Sequence, residues 1–176
     1  MTTTRERIRA RVGETPGIHF NALVRETGFA PGQVQYHLRR LLGDGEVTVE
    51  RLYGRSHYYP PEYDVWERGA LALFRRETAR ETMFHLLEHE PARPERVASA
   101  LGVARSTLEW HLSHLAEQEL VEKRTDRRGR VRLYLTHPER TARLLRRTSP
   151  SFPDRMVDRF VRLVDGLLDE AGSDRS

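Results

Sequence analysis

Apolar residues recur along the first 60 positions in two different rhythms. Ile8 and Val12 lie four apart on one face of a short helix, opened by the capping pattern Thr3-Thr4-Arg5-Glu6. Glu14-Thr15-Pro16-Gly17 breaks that helix, and Ile18 is placed to pair as a short strand with a later hairpin. A second helix covers 20–27 and stops at Gly28, a residue that tolerates the left-handed conformation. Pro31 suits the first turn of a third helix, where a missing N–H costs nothing. Val34, Leu38 and Leu41 follow at i, i+4 and i+7, a one-sided stripe. After Gly43-Asp44-Gly45 the rhythm becomes alternation. Val47 and Val49 lead into a turn at Gly54-Arg55-Ser56, and His57-Tyr58-Tyr59 returns to Pro60-Pro61.

The same rhythms then come back. Residues 62–77 read as a helix with Trp66, Ala70 and Leu73 on one face, a connector packed between two units. Met83, Leu86 and Leu87 line a helix starting near Ala79. Gly28, Ala30, His37, Leu38 and Leu41 reappear as Gly102, Ala104, His111, Leu112 and Leu115 at a constant offset of 74 (102 − 28), and the register continues to Val47 and Val121. That period is too long for a solenoid unit and suits a repeated small domain. Leu120 and Val121 enter a second hairpin, Asp126-Arg127-Arg128-Gly129 turns it, and Val131, Leu133 and Leu135 alternate inward. A short helix follows His137-Pro138. Beyond the break at Ser149-Pro150-Ser151, a last helix is expected over about 154–169. Its apolar stripe is Val157, Phe160, Val161, Val164, Leu167 and Leu168, with Asp158, Arg162, Asp165 and Asp169 opposite. The stripe either folds back on its own chain or pairs with a second copy; with little chain left to cover it, a homodimer is expected.

Each copy thus reads as helix, glycine turn, helix, then two strands around a basic turn, the order of a winged helix-turn-helix. The expected fold class is mainly α with small β-wings (α+β). It comprises winged-helix domains over 1–61 and 79–137, a connector helix over 62–78, a C-terminal helical region over 138–170 and a disordered tail over 171–176.

Composition narrows the function classes. Hydrophobic content of 38% and charged content of 32% suit small domains with much surface. The absence of cysteine excludes disulfides, thiolate metal sites and a cysteine nucleophile. No apolar run approaches the roughly 18 residues of a membrane helix and the polar N-terminus lacks a signal-peptide core, so a soluble, cytoplasmic, nucleoid-associated protein is expected. The net charge of +4 and pI near 9.8 are compatible with a phosphate partner. Of 30 basic residues only Lys123 is lysine. Guanidinium grips phosphate or guanine through two parallel hydrogen bonds, although a GC-rich coding sequence accounts for the skew equally well.

With Val34 turned inward, a helical wheel puts Tyr36, Arg39 and Arg40 outward, flanked by Gln33 and Gln35. Arginine can bond guanine O6 and N7, and glutamine the corresponding edge of adenine, so these residues, with Arg55 on the first wing, are candidates for DNA contact. The matching wheel in the second copy exposes Ser106, Trp110, Ser113, His114 and Glu117, flanked by Thr107 and Glu109. That face is poor in cations; Ser106 and Thr107 are its polar candidates. Trp110 is expected either to pack on the connector or a second subunit, which we favour, or to touch bases. The second wing reverses the balance, with Lys123, Arg124, Arg127, Arg128, Arg130 and Arg132 against Glu122 and Asp126. The first unit is therefore expected to read bases and the second chiefly to grip backbone. His37 and His111, at the edge of the apolar stripe, are either structural or phosphate-contacting.

The run from Gly102 to Val121 resembles the turn, recognition helix and strand entry of ArsR- and MarR-type winged-helix regulators, and Gly28 to Val47 is a looser version. Two such units with a connector and a C-terminal helix resemble archaeal tandem winged-helix regulators, over roughly residues 5–137. The resemblance implies recognition helices at 31–42 and 105–117, wings at 47–59 and 121–135, and a transcriptional regulator of double-stranded DNA. Pro31 and Gly32 stand where the family has small hydroxyl residues, and the metal-sensing cysteines are absent, so thiol-based metal sensing is not implied.

Other readings are weaker. His85 and His89 (i, i+4) and His111 and His114 (i, i+3) have metal-edge spacing, but no third ligand accompanies either pair. With no phosphate-binding glycine loop and no Ser/His/Asp arrangement, no enzyme, metal or cofactor is expected. A protein-interaction scaffold and a sequence-indifferent architectural protein stay open as alternatives, and a small-molecule effector is neither supported nor excluded.

Overall fold

The computed structural model describes residues 1–148. The apolar stripe from Val157 to Leu168 and the tail at 171–176 lie outside the described residues. The chain divides into two units, the first ending at Arg75 and the second beginning at Arg76.

Thr3 opens the first unit: its Oγ1 accepts the Glu6 N–H at 3.2 Å while Glu6 accepts the Thr3 N–H at 2.8 Å. This reciprocal cap satisfies two donors that a bare helix end leaves unpaired. Helix α1 (Thr4–Glu14) is followed by β1 (Ile18–His19), α2 (Phe20–Thr27), α3 (Pro31–Gly43), β2 (Thr48–Leu52), β3 (Arg55–Tyr59) and α4 (Val65–Phe74). Ile8 and Val12 of α1, Ala22 and Leu23 of α2, and Val34, Leu38 and Leu41 of α3 meet in one core with Ile18 and Val47. The stripe on α3 is thereby buried to its last residue, which fixes the rotation of that helix. The strands form an antiparallel sheet in the order β1-β3-β2, with Ile18 opposite Tyr58 and Thr48 opposite Tyr59.

Two expectations are corrected here. The first hairpin turns at Tyr53-Gly54, not at Gly54-Arg55-Ser56: both residues have positive φ (53° and 79°), and Leu52 pairs directly with Arg55. A two-residue hairpin loop with positive φ at both positions matches the twist of the flanking strands, so Arg55 and Ser56 join β3. The stretch at 62–78 is also no separate connector. Asp64 and Glu67 form a second reciprocal cap that starts α4, and α4 is stitched to its own unit. Tyr59 Oη donates to the Arg68 carbonyl at 2.7 Å, Arg68 pairs with Glu50 at 2.7 Å, and Arg75 donates to the Pro16 carbonyl at 2.8 Å.

The second unit runs α5 (Glu77–His89), α6 (Pro94–Leu101), α7 (Arg105–Glu117), β4 (Val121–Thr125), β5 (Val131–Leu135) and α8 (Pro138–Thr148). Helices α2 and α6 start and end 74 positions apart, as do α3 and α7. Gly28 and Gly102 cap α2 and α6 in the left-handed conformation (φ 71° and 66°). Leu108, Leu112 and Leu115 of α7 are fully buried, as are Met83 and Leu86 of α5. Strands β4 and β5 pair antiparallel from Val121–Leu135 to Thr125–Val131, and Ala92 bridges Leu133 where the first unit has β1. Across the described residues, eight helices and two small antiparallel sheets make the chain mainly α with β-hairpins, the α+β class expected of winged helices.

Gly17 is a tight, left-handed position of the first unit. Its φ is +85°, and a Cβ there would meet the Leu71 backbone of α4 at 3.4 Å. Gly17→Ala is expected to destabilise the first unit by about 1–2 kcal/mol, from left-handed strain alone, before any shift of α4. Urea unfolding checks it: an unchanged midpoint would show that the position relaxes freely.

Candidate nucleic-acid interface

With its stripe buried, α3 turns a polar side to solvent. Tyr36 is 54% exposed, and Gln33, Gln35, Arg39 and Arg40 are exposed beside it. The structure divides these residues into two groups. Arg40 donates from Nη1 to Tyr36 Oη at 2.9 Å and lies over the Tyr36 ring at 5.8 Å, so the pair presents one flat, cationic surface. Gln33 spends its amide oxygen on the Ala30 N–H at the start of α3 (3.3 Å), which leaves its amide N–H groups outward.

Gln35 and Arg39 belong to the second group. They line an open cleft of about 750 Å³ with Arg25 and Asn21 of α2, and with Arg55 and Ser56 of β3. Leu38, Leu42, Phe20 and Tyr58 supply its apolar wall, and no carboxylate lines it. Arg25, Arg39 and Arg55 take part in no ion pair among the described residues. His19 sits at the same place as the N-cap of α2, its Nδ1 accepting the Ala22 N–H at 3.2 Å. Burial, reinforced by Arg55, His57 and Arg25, holds the His19 imidazole below its ordinary pKa. The positive charge of the cleft therefore comes from its three guanidiniums. Behind them, buried His57 donates from Nδ1 to the Gly17 carbonyl at 2.7 Å and fixes β3 against β1.

Arg25, Asn21 and His19 had no sequence signal as site residues. Arg25 is an ordinary charge at the end of a helix, and only the return of β3 brings Arg55 and Arg39 beside it.

The second unit spends its charge differently. Ser106 and Thr107 are exposed at the start of α7, but the neighbouring Arg105 is held by Glu95 and by Glu109 (2.8 Å). Glu109 also binds Lys123 at 2.7 Å, and Lys123 above all, then Arg105, holds the Glu109 carboxyl below its usual range. Arg124 pairs with Glu122 at 2.8 Å and lies over the Tyr134 ring at 4.4 Å. Arg130 and Arg132 share Asp126 at 2.9 and 3.6 Å. Of the six wing cations, only Arg127 and Arg128 are in no ion pair among the described residues. They flank the tip of a turn built on Asp126, which accepts the Arg128 and Arg130 backbone N–H groups at 2.9 and 3.0 Å. These bonds, the Arg130 N–H foremost, pull the Asp126 pKa down to about 2, so the turn keeps its anion at any physiological pH.

Trp110 is 45% exposed, with one face under the Arg76 guanidinium at 4.8 Å and its edges against His111 and His114. Arg76 is the residue before α5, so the indole meets the end of the stretch expected to hold it while much of the ring stays in water. His37 and His111 occupy the same place in both units, half-buried against the preceding aromatic ring at 5.1 and 4.8 Å. The Nδ1 of each is enclosed and has no hydrogen-bond partner among the described residues. His85 and His89 lie 4.8 Å apart between ring centroids. Among the described residues no group of three or more His, Asp or Glu could hold a metal ion, and no helix is long and apolar enough to cross a membrane.

A family model described as HTH_HVO_0163_N, N-terminal HTH domain, matches residues 2–71, from the first turn of α1 into α4. No curated protein matches the chain. Among solved structures, the mRNA-binding domain of elongation factor SelB from E. coli is similar at 17% identity and a TM-score of 0.31, over 77% of this chain and 99% of that one. ScpB from Mycobacterium tuberculosis is similar at 18% identity and a TM-score of 0.30, over 76% and 89%. A conserved hypothetical protein from Chlorobium tepidum stands at 16% and 0.29, over 78% and 95%. The match to a helix-turn-helix model thus falls on the first unit.

The ion pairs make the wing's contribution measurable. Replacing Arg127 and Arg128 by glutamine is expected to reduce the salt dependence of duplex binding by about two counterions, and to weaken binding to all sequences alike. Replacing Arg124, already neutralised by Glu122, should change the slope by less than half of that. Filter binding from 50 to 200 mM salt reads both; equal slopes for all three proteins would remove the wing from the interface.

Proposed function

We propose that the protein is a transcriptional regulator of double-stranded DNA. In this reading α3 lies in the major groove, with Arg39 and Gln35 reading base edges and the Tyr36–Arg40 pair at its border. Arg25 and Arg55 hold the flanking phosphates, and the tip of the second wing grips backbone through Arg127 and Arg128. The observation that carries the reading is the cleft of the helix-turn-helix domain. Three guanidiniums and two amides converge there with no carboxylate on its lining, and a polyanion is the partner that such a surface is built to meet. The pI near 9.8 and the repeated unit are in keeping with it.

The second unit is assigned chiefly to the backbone. The outer face of α7 carries Ser113 and Glu109 where α3 carries Arg39 and Gln35, so it has little with which to read bases. We further propose a homodimer formed through the stripe from Val157 to Leu168, which would match a two-fold symmetric site. A regulator without a preferred site, coating DNA as an architectural protein, is the second reading; the convergence of amides with arginines on α3 favours base reading over it.

Selection of preferred duplexes from a random pool, followed by gel shifts, tests the proposal. Arg39→Ala is expected to cost about 1–3 kcal/mol on the selected site and to lower its advantage over random duplex. Equal affinity for every duplex would establish the architectural reading, and no binding even at low salt would leave a protein-interaction scaffold. For the dimer, Phe160→Asp should halve the mass seen in sedimentation; an unchanged mass would end that part.

A further inference from the structure

The second unit holds a cleft of about 610 Å³ that this reading leaves unused. None of its lining comes from α7. Its walls are His85 and His89 of α5, Arg93 and Arg96 at the start of α6, and Arg132 of β5. Among the described residues no carboxylate lines it, and the nearest to its histidines is Glu88, 3.3 Å from His89. Arg93 and Arg96 are in no ion pair among the described residues, and Arg132 keeps only the looser share of Asp126, at 3.6 Å. Both Arg93 and Arg96 also line a neighbouring cleft that reaches Gly129 and Arg130 at the wing turn. Glu95 lines that second cleft too, paired with Arg105, so Arg93 and Arg96 are the cations that connect the histidine pair to the wing turn.

Three guanidiniums in one concavity repel one another, and an anion that joins them relieves that repulsion. The chemistry of the donors narrows that anion. Guanidinium forks match phosphate oxygens in pairs, and neutral imidazole donates one N–H. Five such donors suit a group with three or more acceptor oxygens better than a carboxylate with two. We propose that this cleft is a phosphate-binding site. Its continuity with the wing favours the backbone of the nucleic acid bound there, a choice of source that rests on the function proposed above; a free phosphorylated small molecule would satisfy the same donors.

The histidines supply the readout. His85 is held below its ordinary pKa by burial and then by His89, while Glu88, which contacts His89 at 3.3 Å, acts the other way. The groups facing the pair are Glu88 on α5, Arg93 and Arg96 at the start of α6, and Arg132 on β5. A bound phosphate would raise the His85 imidazole pKa, since it favours the protonated ring.

The test is histidine-ring NMR on the full chain, titrated with pH in the presence and absence of inorganic pyrophosphate, alongside salt-dependent binding to a duplex. The R93Q/R96Q double variant, altered only at the surface, serves as the comparison, and its unligated ring signals report whether it folds. The expected result is an upward shift of the His85 titration with pyrophosphate in the wild type, lost in the double variant, and a salt slope lower by about two in that variant. A ring response with an unchanged slope would keep the site and assign it to a free phosphorylated molecule. If the chain bound no duplex at all, the DNA reading would fail while the pyrophosphate response still decided the cleft. Rings that ignore both pyrophosphate and duplex, or a double variant that responds like the wild type, would overturn the site.

Discussion

The burial of one apolar stripe on each third helix is the constraint from which the rest of the molecule follows. Val34, Leu38 and Leu41 are sealed in the first unit, and Leu108, Leu112 and Leu115 in the second. A buried stripe leaves a helix no freedom to roll, because rolling it by one position would exchange leucine for arginine or serine in the core. Which side chains reach solvent is then settled before any partner is considered. The flanking helices and hairpins serve this seating: α1 and α2 close the core over α3, and the hairpin returns to wall its exposed edge.

On that common frame the two units have opposite electrostatic characters. At the shared offset, Arg25, Gln35 and Arg39 of the first unit become Ser99, Glu109 and Ser113 of the second. The first set surrounds a cleft without a counter-charge. In the second, Glu109 gathers Arg105 and Lys123 and thereby ties α7 to the base of the wing. Exposed ion pairs of this sort are worth less than about 1 kcal/mol each, so they do little for stability. Their effect is to direct side chains. The helical face that could have competed for bases is occupied with holding the hairpin, and the cations left over are displaced to the wing tip and to the flank of α6.

Much of the fold was legible in the chain because its signals are local. The cap at Thr3 and Glu6 and the glycine stops at 28 and 102 act within a few residues and appear where the pattern put them. Of Val131, Leu133 and Leu135, expected to alternate inward, only the two leucines are buried, and Val131 is exposed at the strand end. The reading failed where a local signal was weaker than a tertiary one. Asp64 and Glu67 form as good a cap as Thr3 and Glu6, yet the helix they open reads as a connector because only folding brings Arg68 to Glu50 and Arg75 to Pro16. The first hairpin turned one residue early, since Tyr53 accepts positive φ that a sequence reader would assign to glycine alone. The candidate site was half legible. The outward side of α3 follows from helical periodicity, whereas Arg25 and Arg55 are separated from it in sequence and converge only through the β1-β3 pairing.

The basic run in the second wing shows why counting charges along a chain overstates a binding surface. Six cations fall between positions 123 and 132, but four of them lie within 4 Å of a carboxylate. A cation and anion at that spacing present a dipole, whose field decays faster than that of a lone charge and is further screened beyond about 10 Å at 0.1 M salt. Long-range attraction for a polyanion would then come from cations in no ion pair among the described residues, among them Arg127 and Arg128 on the wing, Arg93 and Arg96 beside it, and Arg25, Arg39, Arg40 and Arg55 in the first unit. A paired arginine can still be recruited once phosphate is close, but its carboxylate remains beside the incoming anion and repels it. The pairing pattern, rather than the number of arginines, therefore marks which cations of each unit would attract a polyanion.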